Sequence, residues 1–187
     1  MSPILIILAA VVAIVGFVIL IYNGLVMKRQ RVNQAFADVD VQLKQRQNLI
    51  PNLVETVKGY AKHEQETFQQ VIAARAAAQS ASTPAEMSQA EGMLTGALGK
   101  LFALAEAYPD LKANQNFIQL QNELSTIEDK LAAARRFYNS AVQDYNTSRE
   151  QFPASVIAGT FSFEPRDFFD VGTEGREALS TPPEVKF

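Results

Sequence analysis

The sequence predicts an all-α protein: one N-terminal transmembrane helix, an antiparallel bundle of long helices, and an irregular, Phe-rich C-terminal tail. Three observations predict it. Residues Ile4 to Tyr22 form an uncharged run, ILIILAAVVAIVGFVILIY. Apolar residues then recur at alternating spacings of three and four as far as Phe152, the period that keeps one helical stripe facing partner helices. From Pro153 that period stops, and Phe, Gly, Pro and acidic residues take over. The expected division of the 187 residues is an anchor over 1–27, a bundle over 28–152 and an extended tail over 153–187, packed on the bundle or on a neighbour.

The anchor comes first. At about 1.5 Å per residue, about 20 helical residues cross a hydrocarbon core of about 30 Å, so the run is long enough to span. A secretory signal peptide would instead open on basic residues and close on small ones. Met1-Ser2-Pro3 carries no base, and the run ends in IYNGLVM. Lys28, Arg29 and Arg31 follow the span, and no Lys or Arg precedes it. The positive-inside bias then places the C-terminal domain in the cytoplasm. The same three side chains are candidate contacts for anionic lipid headgroups.

The first soluble helix is expected over about 28–79. Its seam runs through Val32, Phe36, Val39, Leu43, Ile50, Val54, Val57, Ala61, Glu64, Phe68, Val71 and Arg75, with Gln47 filling the skipped position. The phase survives Pro51, which predicts a kink or two nearly collinear helices rather than a loop. Pro51 donates no hydrogen bond and pushes on the carbonyl of Gln47, a cost of about 3 kcal/mol if uncompensated. Asn48 capping a restarted helix is one remedy; the amides of Gln45, Gln47 and Asn52 offer another. The apolar stripe also widens here, through Leu49, Ile50, Leu53, Val54 and Val57 around Pro51. Either the bend wraps the helix around its bundle, or this stretch is a candidate interaction surface for the tail or another subunit.

A second helix is expected over 84–108, with seam residues Met87, Ala90, Leu94, Ala97, Leu101, Leu104 and Tyr108. Thr83-Pro84-Ala85-Glu86 has a capping threonine, proline at the first helical position and glutamate three residues after the cap. Gly92, Gly96 and Gly99 each cost about 1 kcal/mol relative to alanine, which predicts close approach of a neighbouring backbone. GMLTGALGKL does not fit a phosphate-binding GxxxxGK[ST] loop. A third helix, over 115–152, carries Phe117, Leu120, Leu124, Ile127, Leu131, Ala134, Tyr138, Ala141, Tyr145, Ser148 and Phe152, of which only Ser148 breaks the apolar rule, with Asn114 as N-cap and Pro153 as stop. In the tail, Phe161, Phe163, Phe168, Phe169 and Phe187 are the expected anchors.

The segments YNGLV, VNQAFADVDVQLKQRQNLIPNLVETVKGYAKHE and YPDLKANQNFIQLQNELSTIEDKLAAARRFYNSAVQDYN, with the Phe-rich close, resemble the LemA family of bacterial membrane proteins. The resemblance covers nearly the whole chain; QLKQRQNLIPNLVETVKGYA and YPDLKAN are its specific parts. It implies a single-pass protein of the bacterial cytoplasmic membrane with a helical bundle, and no known enzymatic reaction. Relatives among magnetosome-membrane proteins point by analogy to membrane organisation. Phe36 stands where relatives often carry tryptophan and keeps the aromatic bulk.

No constellation for bond-making is legible. His63 is the single histidine, and HExxH would need a second where Thr67 stands. No GxSxG occurs. Glu55, Glu64 and Glu66 share a helix with Lys58 and Lys62, the pattern of a solvated face. The chain contains no cysteine, and its net charge of −3 argues against nucleic acid as a partner. The expectation is a non-enzymatic scaffold with no cofactor, metal or catalytic residue. Its partners would be the bilayer and either a second copy or another membrane or soluble protein. An adaptor for a protease or signalling protein and a membrane-remodelling protein are the rival expectations.

Overall fold

The computed structural model describes residues 2–169, and among these the chain forms six α-helices and no strand. They are α1 (Pro3–Lys58), α2 (Gln65–Ser80), α3 (Pro84–Glu106), α4 (Pro109–Lys112), α5 (Gln115–Glu150) and α6 (Ala154–Thr160). Residues 2–38 and 136–167 make one unit; residues 39–135 with 168–169 make a second. Both α1 and α5 contribute to each.

α1 begins with the apolar run and continues without interruption past Asn23 and Gly24 into the first soluble helix. It is also helical through Pro51. The expected 28–79 helix instead breaks at residues 59–64. After Gly59, the N–H groups of Tyr60 and Ala61 both close on the carbonyl of Val57, at 3.0 and 2.9 Å, and the chain turns. The apolar phase reads through this turn because Val57, Ala61, Phe68 and Val71 all enter one core.

That core fills the second unit. Leu53, Val57, Phe68, Leu94, Leu101 and Leu111 are nearly inaccessible, each contributing about 1.5–3 kcal/mol by burial. α2 and α3 are joined by Ala81-Ser82-Thr83, and the capping box forms: Glu86 N donates to Thr83 Oγ1 at 3.2 Å and Thr83 N to Glu86 Oε2 at 3.1 Å. The single turn α4 drives Leu111 into the core. Asn114 caps α5 by accepting from Phe117 N at 3.1 Å. Gly92, Gly96 and Gly99 depart from expectation. Among the described residues, no neighbour outside α3's own backbone comes within 4 Å of where a Cβ would stand, so none of their backbone approaches these glycines closely.

In the first unit α1 runs antiparallel to α5: the Phe36 and Tyr138 rings lie 5.7 Å apart and Arg31 sits 5.5 Å over the Phe137 ring. Leu25, Val32, Ala35, Ala141, Val142 and Tyr145 of these two helices are buried. The tail is not extended throughout, as expected, because Ala154–Thr160 forms a short helix that buries Ile157 and Ala158. Ser162, at φ 53°, then turns the chain. From Ser162 to Asp167 the strap has no ladder of its own, and α5 side chains bind its backbone. Tyr145 Oη donates to Glu164 O at 2.9 Å, Tyr138 Oη to Asp167 O at 2.8 Å, and Asn146 both donates to and accepts from Arg166. These bonds satisfy carbonyls that helix or sheet would otherwise engage. Burial pushes both tyrosine hydroxyls above their ordinary pKa.

Candidate functional site

The stretch around Pro51 is not a free surface. Ile50, Leu53, Val54 and Val57 are each at most 3% exposed and belong to the second unit's core, against which Leu49 is also packed. The widened stripe faces helices of its own chain because α2 folds back on α1, which the helix break at 59–64 allows. Pro51 itself is exposed. Neither an Asn48 cap nor a neighbouring amide compensates for it. Arg75, on α2, donates from Nε to the Gln47 carbonyl at 2.8 Å. That carbonyl is the one Pro51 leaves without a helical donor. A cleft of about 150 Å³ lined by Ile50, Pro51, Val54, Ile72 and Arg75 marks the contact.

Arg46, the residue before Gln47, opens a charged core that the periodicity hides. Arg46, 2% exposed, pairs with the equally buried Glu91 on α3 and reaches Glu128 on α5 at 2.8 Å and the Thr95 hydroxyl at 2.9 Å. Arg135 belongs to the same electrostatic group. Burial lowers its pKa, Glu91 and Glu128 oppose that, and Arg46 adds to it. Its guanidinium lies 4.8 Å over the Phe169 ring. Two cations and two anions give a set of zero net charge that ties α1, α3 and α5 together. Both carboxylates are engaged by Arg46, and no histidine or thiol joins them.

A sequence signal for this cluster exists. Arg46 falls three residues after Leu43 and four before Ile50; Glu91 falls four after Met87 and three before Leu94; Glu128 and Arg135 flank Leu131 by three and four. Each sits at a spacing that places it beside apolar seam residues. Four charges in seam phase on three helices announce a buried network, which isolated heptad reading passes over.

The expected headgroup contacts meet the tail anchors Phe161 and Phe163 in the first unit, whereas Phe168 and Phe169 belong to the second. Arg29 lies 5.0 Å over the Phe163 ring, and Tyr22 packs edge-on against Phe161 at 5.0 Å and Phe163 at 5.5 Å. Arg31 covers Phe137. Lys28 is half-buried. Phe163 and Phe169 are buried, whereas Phe161 and Phe168 are about half exposed. Phe187 lies outside the described residues. The anchor segment of α1 is long and apolar enough to cross a membrane, and none of it is buried within the protein.

Comparison with known proteins gives one consistent result. The family described as the LemA family matches residues 35–187. A relative named magnetosome protein MamQ 2, from Paramagnetospirillum magneticum, is 23% identical over 199 residues, covering 92% of this chain and 73% of its own. Magnetosome protein MamQ of Magnetospirillum gryphiswaldense matches over the same shares at 23% identity. Protein LemA of Metamycoplasma hominis is 26% identical over 140 residues, covering 73% of this chain and 63% of its own.

Proposed function

Because this chain belongs to the LemA family, we propose that it is a single-pass membrane-anchored helical scaffold that associates with itself rather than an enzyme. The observation that carries this reading is the outer face of α3. Gly92, Gly96 and Gly99 are exposed with open space before them. Three helical glycines disfavour α3 by about 1 kcal/mol each relative to alanine, and no contact among the described residues requires them. Beside them, exposed Met93 and Gly96 border a depression of about 450 Å³ shared with Ala73, Ala77 and Lys100. Small residues in this setting suit the close approach of another helix. The apolar segment of α1 and the charge cluster of zero net charge, whose carboxylates are both engaged by Arg46, support anchoring and a structural role. Likeness to relatives named as magnetosome proteins adds support by analogy.

A photo-crosslinking residue in place of Met93 tests the proposal in membranes. Adducts between two copies are expected. Adducts with a different protein would favour the adaptor reading, and the lack of either would overturn an interaction role for this face. Replacing all three glycines by alanine is expected to raise helix stability and yet weaken association.

A further inference from the structure

We propose that α6 and its flanks form a second membrane-contacting element, seated in the bilayer interface beside the end of the anchor. This rests on the anchor reading above and extends it to a part of the chain far away in sequence. Residues 151–163, QFPASVIAGTFSF, carry no charged side chain and are bounded by Glu150 and Glu164. Ile157 and Ala158 turn inward, while Phe152, Val156 and Phe161 turn outward at 84%, 61% and 52% exposure. Among the described residues no other large apolar side chain is as exposed as Phe152, those of the anchor included.

The position of this patch identifies its occupant. Phe161 touches Tyr22, the last residue before the polar Asn23 interrupts the apolar run. The antiparallel pairing of Phe36 with Tyr138 extends the match: fourteen residues back along α1 is Tyr22, and fourteen onward from Tyr138 is Phe152. Both ends of the uncharged segment therefore lie at the level where the span ends. Lys28 and Arg29 follow Tyr22 by six and seven residues, about 10 Å of helix rise. Apolar residues, then an interfacial tyrosine, then cations is the order a bilayer surface accommodates. An apolar patch continuous with the span meets acyl chains and headgroups before it meets a soluble protein. α6 closes its own backbone hydrogen bonds, as an element lying in the interface must.

The chain has no tryptophan, so single Phe→Trp substitutions give unique reporters in the full-length protein. Phe152→Trp and Phe161→Trp are compared in liposomes with Tyr22→Trp, which reads the anchor, and with Phe137→Trp, which lies about 20 Å along α5 from that helix's end at Glu150. The probe is phosphatidylcholine brominated near the headgroup end of the acyl chain. Blue-shifted emission and loss of fluorescence are expected at 22, 152 and 161, with little loss at 137. Quenching at 22 alone would overturn the proposal and leave the anchor reading intact; no quenching at 22 would remove both. Blue-shifted but unquenched emission at 152 and 161 would mean that protein covers the patch, and would also overturn it. Val156→Trp, another outward position, repeats the test should either Phe variant fold poorly.

Discussion

Two carboxylates bind Arg46, but removing one is not equivalent to removing the other. Glu91 is 3% exposed and Glu128 46% at the side chain. Glu91→Ala leaves a buried guanidinium without its closest counter-charge and is expected to cost about 3–5 kcal/mol. Glu128→Ala removes a partly solvated partner and is expected to cost about 1 kcal/mol or less. Urea unfolding of the detergent-solubilised protein separates the two. Replacing the pair together, Arg46→Met with Glu91→Leu, is expected to be milder than Glu91→Ala alone, since no unpaired charge remains buried. At the start of α3, backbone hydrogen bonds from Ser82 and Thr83 hold the Glu86 carboxyl down at about 2 from an ordinary 4.5. A depressed folded pKa means that this contribution is complete above pH 4.5 and is lost as pH falls through about 2. Glu86→Gln is expected to remove that part of the acid dependence of thermal unfolding.

At the scale of elements, Pro51 and Arg75 form one device. Arg75 matters because Pro51 offers Gln47 no N–H. Arg75→Ala is expected to cost about 1–3 kcal/mol by leaving a carbonyl unsatisfied. In a Pro51→Ala background the restored N–H takes over, and the same change is expected to cost less. A double-mutant cycle by chemical unfolding reads this coupling, and additivity within about 0.5 kcal/mol would refute it. The strap behaves similarly. Tyr138→Phe and Tyr145→Phe each delete one donor to its backbone, at about 1 kcal/mol apiece. The expected readout is faster proteolysis within residues 161–167, with the helices unchanged by circular dichroism.

For the whole molecule, the open physical question is the side of the membrane on which the helical domain lies, because that decides which proteins it can meet. The cations after the span predict the cytoplasm. The chain contains no cysteine, so Lys112→Cys on the exposed turn α4 gives a single thiol. It is expected to resist an impermeant thiol reagent in intact cells and to react after lysis. Labelling of intact cells would reverse the orientation and exclude cytoplasmic partners.

The all-helical class, the apolar anchor segment and the caps at Thr83 and Asn114 were legible because they depend on neighbours within one turn or on a run of one chemistry. Local spacing determines them wherever the helix later packs. The break at residues 59–64 was not legible, because a turn that keeps the apolar phase leaves the periodicity unchanged. Nor was the fate of Leu49, Ile50, Leu53, Val54 and Val57: a stripe shows that a face will be covered, not by what. The fold-back of α2 supplied the cover, gave the Gln47 carbonyl its donor from 28 residues away, and so turned an apparent docking surface into core. Arg46 and Glu91, 45 residues apart, became partners for the same reason. Long-range contacts depend on which helices meet and at what height, and those relations are not contained in any single helix's pattern.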